Sequence, residues 1–110
     1  MAEVSVFEAY QVQRALRGHL ADGDAMQTLA RDDATGVFWV LTERELILVE
    51  NLQVGDRLTR DELAGEVDAT DVGVTVRLRT TDGPKALVGT FRKPNRLTNA
   101  LAELFEANPR

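Results

Sequence analysis

Val37-Phe38-Trp39-Val40-Leu41-Thr42-Glu43-Arg44-Glu45-Leu46-Ile47-Leu48-Val49-Glu50 is the stretch that decides how this chain folds. Two apolar runs, Val37 to Leu41 and Leu46 to Val49, flank a polar break from Thr42 to Glu45. Each run is far shorter than the roughly 18 apolar residues of a membrane-crossing helix. β-branched and aromatic residues dominate and suit a pleated, buried surface, so the pair reads as a β-hairpin. The break has neither Asn-Gly nor Asp-Gly, which predicts a loop built on a type I turn. Phe38 and Val40 point to one face, and Val37, Trp39 and Leu41 to the other. A hairpin with one wet face alternates apolar and polar residues. This one is apolar on both faces and needs cover on two sides.

Upstream, Ser5-Val6-Phe7-Glu8 has the form of a capping box, with Val4 and Ala9 placed as a hydrophobic staple. It predicts a helix from about Val6 to Leu20, with Val6, Ala9, Val12, Leu16 and Leu20 on one stripe and Gly23 as the C-cap glycine. Phe7 falls nearly opposite that stripe, where it either wraps onto a neighbouring loop or marks a protein contact. Ala25 to Arg31 reads as a first strand, and Asp32-Asp33-Ala34-Thr35-Gly36 as a turn.

Downstream, Asn51 to Gly55 reads as a loop with Leu52 and Val54 dipping inward, and Asp56 to Arg60 as a short strand. Asp61 to Glu66 reads as a single helical turn that buries Leu63, and Val67 to Val72 as a strand closed by a turn at Gly73. Val74 to Arg79 alternates, with Val74, Val76 and Leu78 inward and Arg77 and Arg79 outward. Asp82-Gly83-Pro84 is a strong turn signal, and Lys85 to Phe91 is the last strand. A final helix opens at Pro94, carries Leu97, Ala100, Leu101, Leu104 and Phe105 on one face, and stops at Asn108-Pro109. The order is helix, about seven short strands, helix. Short strands joined by tight turns favour an antiparallel sheet that closes or folds into two layers, with the last helix over its open end.

The composition, 44% hydrophobic and 28% charged, is that of an ordinary globular domain. There is no cysteine, hence no disulfide or thiol chemistry, which fits a reducing cytoplasm. The start of the chain has no signal-like core, and no run is long enough to insert into a membrane. Arginine outnumbers lysine 11 to 2, as in a GC-rich bacterium or its phage. Net charge is −5, which repels phosphate backbones and anionic lipid. Residues 1–76 hold 6 basic and 15 acidic side chains, and residues 77–110 hold 7 and 3, so the halves carry −9 and +4.

The run Val40-Leu41-Thr42-Glu43-Arg44-Glu45-Leu46-Ile47-Leu48-Val49 resembles the hairpin of bacterial pleckstrin-homology-like (PH-like) domains. Leu63 with Val67, then Val74 to Leu78, Leu87 to Phe91, and Leu97, Leu101 and Leu104 continue the resemblance in order. The resemblance implies an α+β, mainly β fold: a seven-stranded, bent antiparallel PH-like barrel capped by a C-terminal helix. Residues 1–110 would form one domain, with the core at 24–107 and residues 1–22 an added N-terminal helical extension. It also implies a non-catalytic interaction or regulatory module that self-associates. Phosphoinositide-binding members of the wider superfamily carry basic residues on the first two strands and their loop. Asp32 and Asp33 stand there instead, which argues against a lipid head group as ligand.

The chain offers little for catalysis. His19 is the sole histidine and Ser5 the sole serine, so neither a zinc site nor a Ser-His-Asp arrangement can be assembled with Ser5 serving as a cap. Asp22, Asp24, Asp32 and Asp33 lack EF-hand spacing and fit turns. Asp61, Glu62 and Glu66 have no partner placed opposite them for acid–base work. No enzyme activity, metal or cofactor is expected. Two binding readings remain. One is a homo-oligomer or protein-binding module working through an apolar surface around Trp39 and the N-terminal helix, with Phe7 in it. The other is a domain, of host or phage origin, that takes an acidic protein or nucleic acid on Arg77, Arg79, Arg92, Lys93 and Arg96. No exposed aromatic interleaves with those cations, which argues against nucleic acid.

Overall fold

The computed structural model describes residues 5–20, 23–79 and 86–107. The expectations for Val4, Asp22, Asp82-Gly83-Pro84, Lys85 and Asn108-Pro109 lie outside the described residues. Helix α1 (Val6–Ala15) precedes strands β1 (Met26–Arg31), β2 (Phe38–Thr42), β3 (Glu45–Glu50) and β4 (Gln53–Thr59). A 3₁₀ turn (Arg60–Glu62) leads to β5 (Ala64–Thr70), β6 (Gly73–Arg79), β7 (Ala86–Phe91) and helix α2 (Arg96–Ala107). The strands form two antiparallel sheets, β1-β2-β3-β4 and β5-β6-β7, bent around one core. Helix α2 closes that core by packing on β5, β1 and β2.

The central hairpin is β2–β3, and its cross-strand pairs sort its side chains cleanly. Trp39 lies opposite Leu48 and Leu41 opposite Leu46, and all four sit in the inner core with Leu63, Val76, Leu78, Phe91 and Leu101. Phe38 lies opposite Val49 and Val40 opposite Ile47, and these face a second cluster outside the barrel. The second cover is α1, whose Val12, with the C-cap residue Leu16, is buried against Val40, Ile47 and Val49. Burying two such side chains contributes about 1.5–3 kcal/mol each.

At the hairpin loop, the buried Thr42 hydroxyl donates to Asp24 Oδ2 (2.8 Å) and accepts from the Glu45 N–H (3.0 Å). Asp24 Oδ1 accepts from the Glu43 N–H at 2.9 Å, which ties the start of β1 to the loop. Asp24 therefore serves the turn, as does Asp32, whose Oδ1 accepts from the Ala34 N–H (2.9 Å) and the Thr90 N–H (3.3 Å). With the Asp33 N–H donating to the Thr90 carbonyl at 2.6 Å, the β1–β2 loop is sewn to β7 and the two sheets are joined.

The capping box forms as the sequence predicts, with the Glu8 N–H donating to Ser5 Oγ and the Ser5 N–H to Glu8 Oε1. The helix stops sooner than expected, at Ala15 rather than Leu20. Gly18 takes a left-handed φ of 81°, which turns the chain toward β1, and Arg57 holds the turn by donating to the His19 carbonyl. Arg57 also pairs with Glu45 at 2.6 Å, and that hydrogen bond, against the opposing effect of burial, raises its pKa further above its ordinary high value. A raised pKa contributes stability below the unfolded-state value and loses it only as pH rises through the folded one, so this contact is constant across neutral pH.

The second helix begins at Arg96, not Pro94. Asn95 caps it: its Oδ1 accepts from the Thr98 N–H, and Thr98 Oγ1 accepts from the Asn95 N–H. Strand β5 begins at Ala64, earlier than the Val67 expected, and Val72 falls in a turn where it is 92% exposed.

The β3–β4 connection also departs from expectation. Glu50 pairs with Gln53, leaving a two-residue turn of Asn51 (φ 51°) and Leu52 (φ 62°). Leu52 does not dip inward; it stands 53% exposed at the tip, while Val54 does pack on the outer cluster. A tight hairpin of this kind wants two left-handed residues, for which Asn-Gly is the usual solution. A leucine there costs roughly 1–2 kcal/mol. Leu52→Gly is expected to raise stability by about 0.5–1 kcal/mol, after allowing for glycine's greater freedom in the unfolded chain. Urea unfolding followed by circular dichroism measures it.

Candidate interaction surface

The expected contact residues separate into three places. Trp39 is not on the surface where the sequence suggests a contact: it is 2% exposed, in a T-shaped pair with Phe91 at 5.5 Å inside the barrel. The side of the hairpin that holds it faces the lumen, because the opposite side is the one α1 covers. The apolar surface expected around Trp39 is therefore core.

Phe7 is where the sequence put it, on α1 opposite the buried stripe and 68% exposed. Tyr10 is 54% exposed, and Val6, expected at the head of the buried stripe, is 88% exposed because the first turn of α1 projects past the sheet-facing cluster. Phe7, Tyr10 and Arg14 stand at i, i+3 and i+7 and form one crest. The Arg14 guanidinium lies over the Tyr10 ring at 6.0 Å. Leu52, from the β3–β4 turn, lines a shallow depression with Gln11, Arg14 and Ala15, so it extends the crest sideways. Tyr10 is a contact residue that the sequence reading does not single out, although its place one turn from Phe7 is a signal that could find it. Leu52 carries no such signal, because an apolar residue in a loop reads as inward-pointing.

The basic residues do not converge. Arg77 and Arg79 lie exposed on the outer face of β6, where Arg77 sits opposite Val88 and within 3.8 Å of Glu66. Arg92 follows the Phe91 that pairs with Val74, so it lies beyond the other end of β6, about 13 Å along the strand from Arg77. Arg92 reaches Asp33 at 3.6 Å, across the seam where the β1–β2 loop meets β7. Lys93 lies in the β7–α2 junction, and its carbonyl accepts from Asn95 Nδ2. Arg96 opens α2. The acidic and basic halves of the sequence thus meet within the fold at Asp33–Arg92 and Glu66–Arg77.

A cleft of about 240 Å³ opens between the sheets, with Val37, Trp39, Leu48 and Leu87 in its walls and Asp32, Glu50 and Asp56 around it. Among the described residues its lining carries the carboxylates Asp32, Glu50 and Asp56 and no cation. Among the described residues no three His, Asp or Glu side chains gather as metal ligands. No helix of the described residues is long and apolar enough to cross a membrane.

Two bent antiparallel sheets, sewn at one corner and capped by a C-terminal helix, define a PH-like fold. The chain is similar to a DUF1696-family protein with a pleckstrin-homology domain from Shewanella loihica PV-4, at 16% identity and a TM-score of 0.64 over 98% of this chain and 100% of that one. It is similar also to a pleckstrin homology domain from Shewanella amazonensis SB2B, at 15% identity and a TM-score of 0.65 over 96% of this chain and 91% of that one. No family model and no curated protein matches the sequence. The fold expected from the hairpin, with its C-terminal cap and extra N-terminal helix, is the fold observed.

Proposed function

We propose that this chain is a non-catalytic PH-like interaction module that self-associates, working in the cytoplasm through the outer face of α1. The observation that carries it is the exposed crest of Phe7 and Tyr10, opposite a buried stripe that already fastens the helix to its own barrel. A helix that serves only as a lid gains nothing from a second apolar face, and aromatic side chains are the usual anchors of protein contacts. Trp39 has no direct part in this contact, and the scattered arginines supply rim charge. The alternative, an acidic or nucleic-acid partner on Arg77, Arg79, Arg92, Lys93 and Arg96, requires a continuous patch that the register of β6 and β7 divides in two.

The test is light scattering across micromolar concentrations on the native chain and on the double variant Phe7→Asp, Tyr10→Asp. The native chain is expected to dimerise. The variant is expected to weaken association at least tenfold, with an unchanged unfolding midpoint because both positions are exposed. A native chain that stays monomeric at high micromolar concentration overturns self-association.

A further inference from the structure

The cleft between the sheets lies apart from the α1 crest, and no residue of α1 lines it. We infer that it binds an extended segment of a partner protein, taking one Lys or Arg side chain into the cleft and holding the segment's backbone on the free edge of β7.

Strand alternation brings carboxylates to this cleft. Leu46, Leu48 and Glu50 share the inward side of β3. On β4, Leu58 and Asp56 share it, because Arg57 between them turns outward to Glu45. The inner side of the first sheet is therefore apolar at its middle and acidic where the lumen opens. Asp32 reaches the same cavity from the β1–β2 loop. Among the described residues no ion pair engages any of these three carboxylates; Arg92, at the same seam, pairs with Asp33 instead. Like charges around one cleft focus a negative potential, which a cation relieves.

Asp32 is the second, independent observation. It is 3% exposed, and its Oδ1 accepts the Ala34 and Thr90 N–H groups. No hydrogen bond from the described residues reaches Oδ2, and none of their buried side-chain oxygens lacks a partner, so Oδ2 is the atom that opens on the cleft. An ionised oxygen placed beside the apolar walls of Trp39 and Leu87 suits an ammonium or guanidinium group on a methylene stem. At about 240 Å³ the cleft fits one long side chain, since sites for drug-sized ligands run to roughly 300–1,000 Å³.

The edge of β7 points to a protein segment as the source of that side chain. β7 is the outermost strand of its sheet. Thr90 turns its N–H to Asp32 and its carbonyl to the Asp33 N–H, both away from β6. Antiparallel pairs alternate, so Val88 turns its N–H and carbonyl to the same side. No described strand meets them there, and Val88 lines the cleft. Such an edge takes an added strand, whose side chains then fall into the adjoining pocket.

The probe is the capped peptide acetyl-Thr-Val-Thr-Lys-Thr-Val-Thr-amide, titrated into the full chain. Two controls accompany it: the same peptide with norleucine for lysine, and n-butylammonium alone. Trp39, the only tryptophan, lines the cleft and reports binding by fluorescence, while the Val88 amide reports it by NMR. The lysine peptide is expected to bind about tenfold tighter than either control, as a charge-assisted hydrogen bond gives, and to shift the Val88 amide. Asp32→Asn keeps an oxygen for the Ala34 and Thr90 N–H groups but puts a donor in place of Oδ2, and is expected to weaken the peptide about tenfold. Glu50 and Asp56 are exposed, so the double variant Glu50→Gln, Asp56→Asn is expected to weaken it several-fold with an unchanged unfolding midpoint. That double variant decides the matter if Asp32→Asn fails to fold. Equal binding of the norleucine peptide overturns the cation. Equal binding of n-butylammonium, or an unmoved Val88 amide, overturns the protein segment. Peptide affinity untouched by the carboxamide variants, or no binding at millimolar peptide, overturns the site and leaves the α1 reading standing.

Discussion

Trp39→Ala is expected to cost about 3–5 kcal/mol, the usual range for emptying a large aromatic site in a core. A domain of this size has a total of about 5–15 kcal/mol, so the variant should be partly unfolded or close to it at 37 °C. Circular dichroism against urea is the measurement, since the only tryptophan is removed. The size of the effect follows from position. Trp39 belongs to β2 in the first sheet, while its edge-on partner Phe91 belongs to β7 in the second. Gly89, also on β7, lies under the indole, and a Cβ there would come within 2.5 Å of the ring. The two positions share one volume, so Gly89→Ala is expected to be costly alone and cheaper in a Trp39→Leu background. A double-mutant cycle with no coupling between the two would contradict that packing.

Gly65→Ala is the second large effect, and its cause is backbone rather than side chain. Gly65 lies opposite Leu78 in the β5–β6 ladder. A Cβ at that position would overlap the Arg77 carbonyl oxygen and sit 3.2 Å from Leu78 Cα. Neither atom can rotate away, so the ladder must part locally. A loss of about 3 kcal/mol or more is expected, at the upper end of overpacking effects. The neighbouring Glu66→Ala makes the contrast. Its pair with Arg77 is 3.8 Å long with both side chains more than half exposed, and such pairs contribute about 0–1 kcal/mol. Equal losses for the two variants would mean that β5 pairs differently with β6.

The division of the central hairpin into two apolar faces was legible because strand side chains alternate strictly. The same periodicity placed Val74, Val76 and Leu78 in the core and Arg77 and Arg79 in solvent. The cap at Ser5 and the buried stripe of α2 were legible because both depend on spacings within a few residues. Which hairpin face meets the lumen was not legible. The two faces are equally apolar, so alternation alone does not say that the face carrying Trp39 is the one turned to the lumen. Leu52 was missed because its left-handed backbone is imposed by the register of β3 on β4. The basic residues looked like one cluster because they are near in sequence, but strands β6 and β7 run antiparallel and carry them to opposite ends.

By itself, the sequence determined the elements, their caps, and the requirement that the central hairpin be covered twice. Those are local properties, set by alternation, helical spacing and turn residues. The tertiary structure decided that α1 is the outer cover, that Trp39 bridges the two sheets, and that Phe7, Tyr10, Arg14 and Leu52 share one exposed face. These depend on register and on contacts between residues far apart in the chain, which local pattern does not encode.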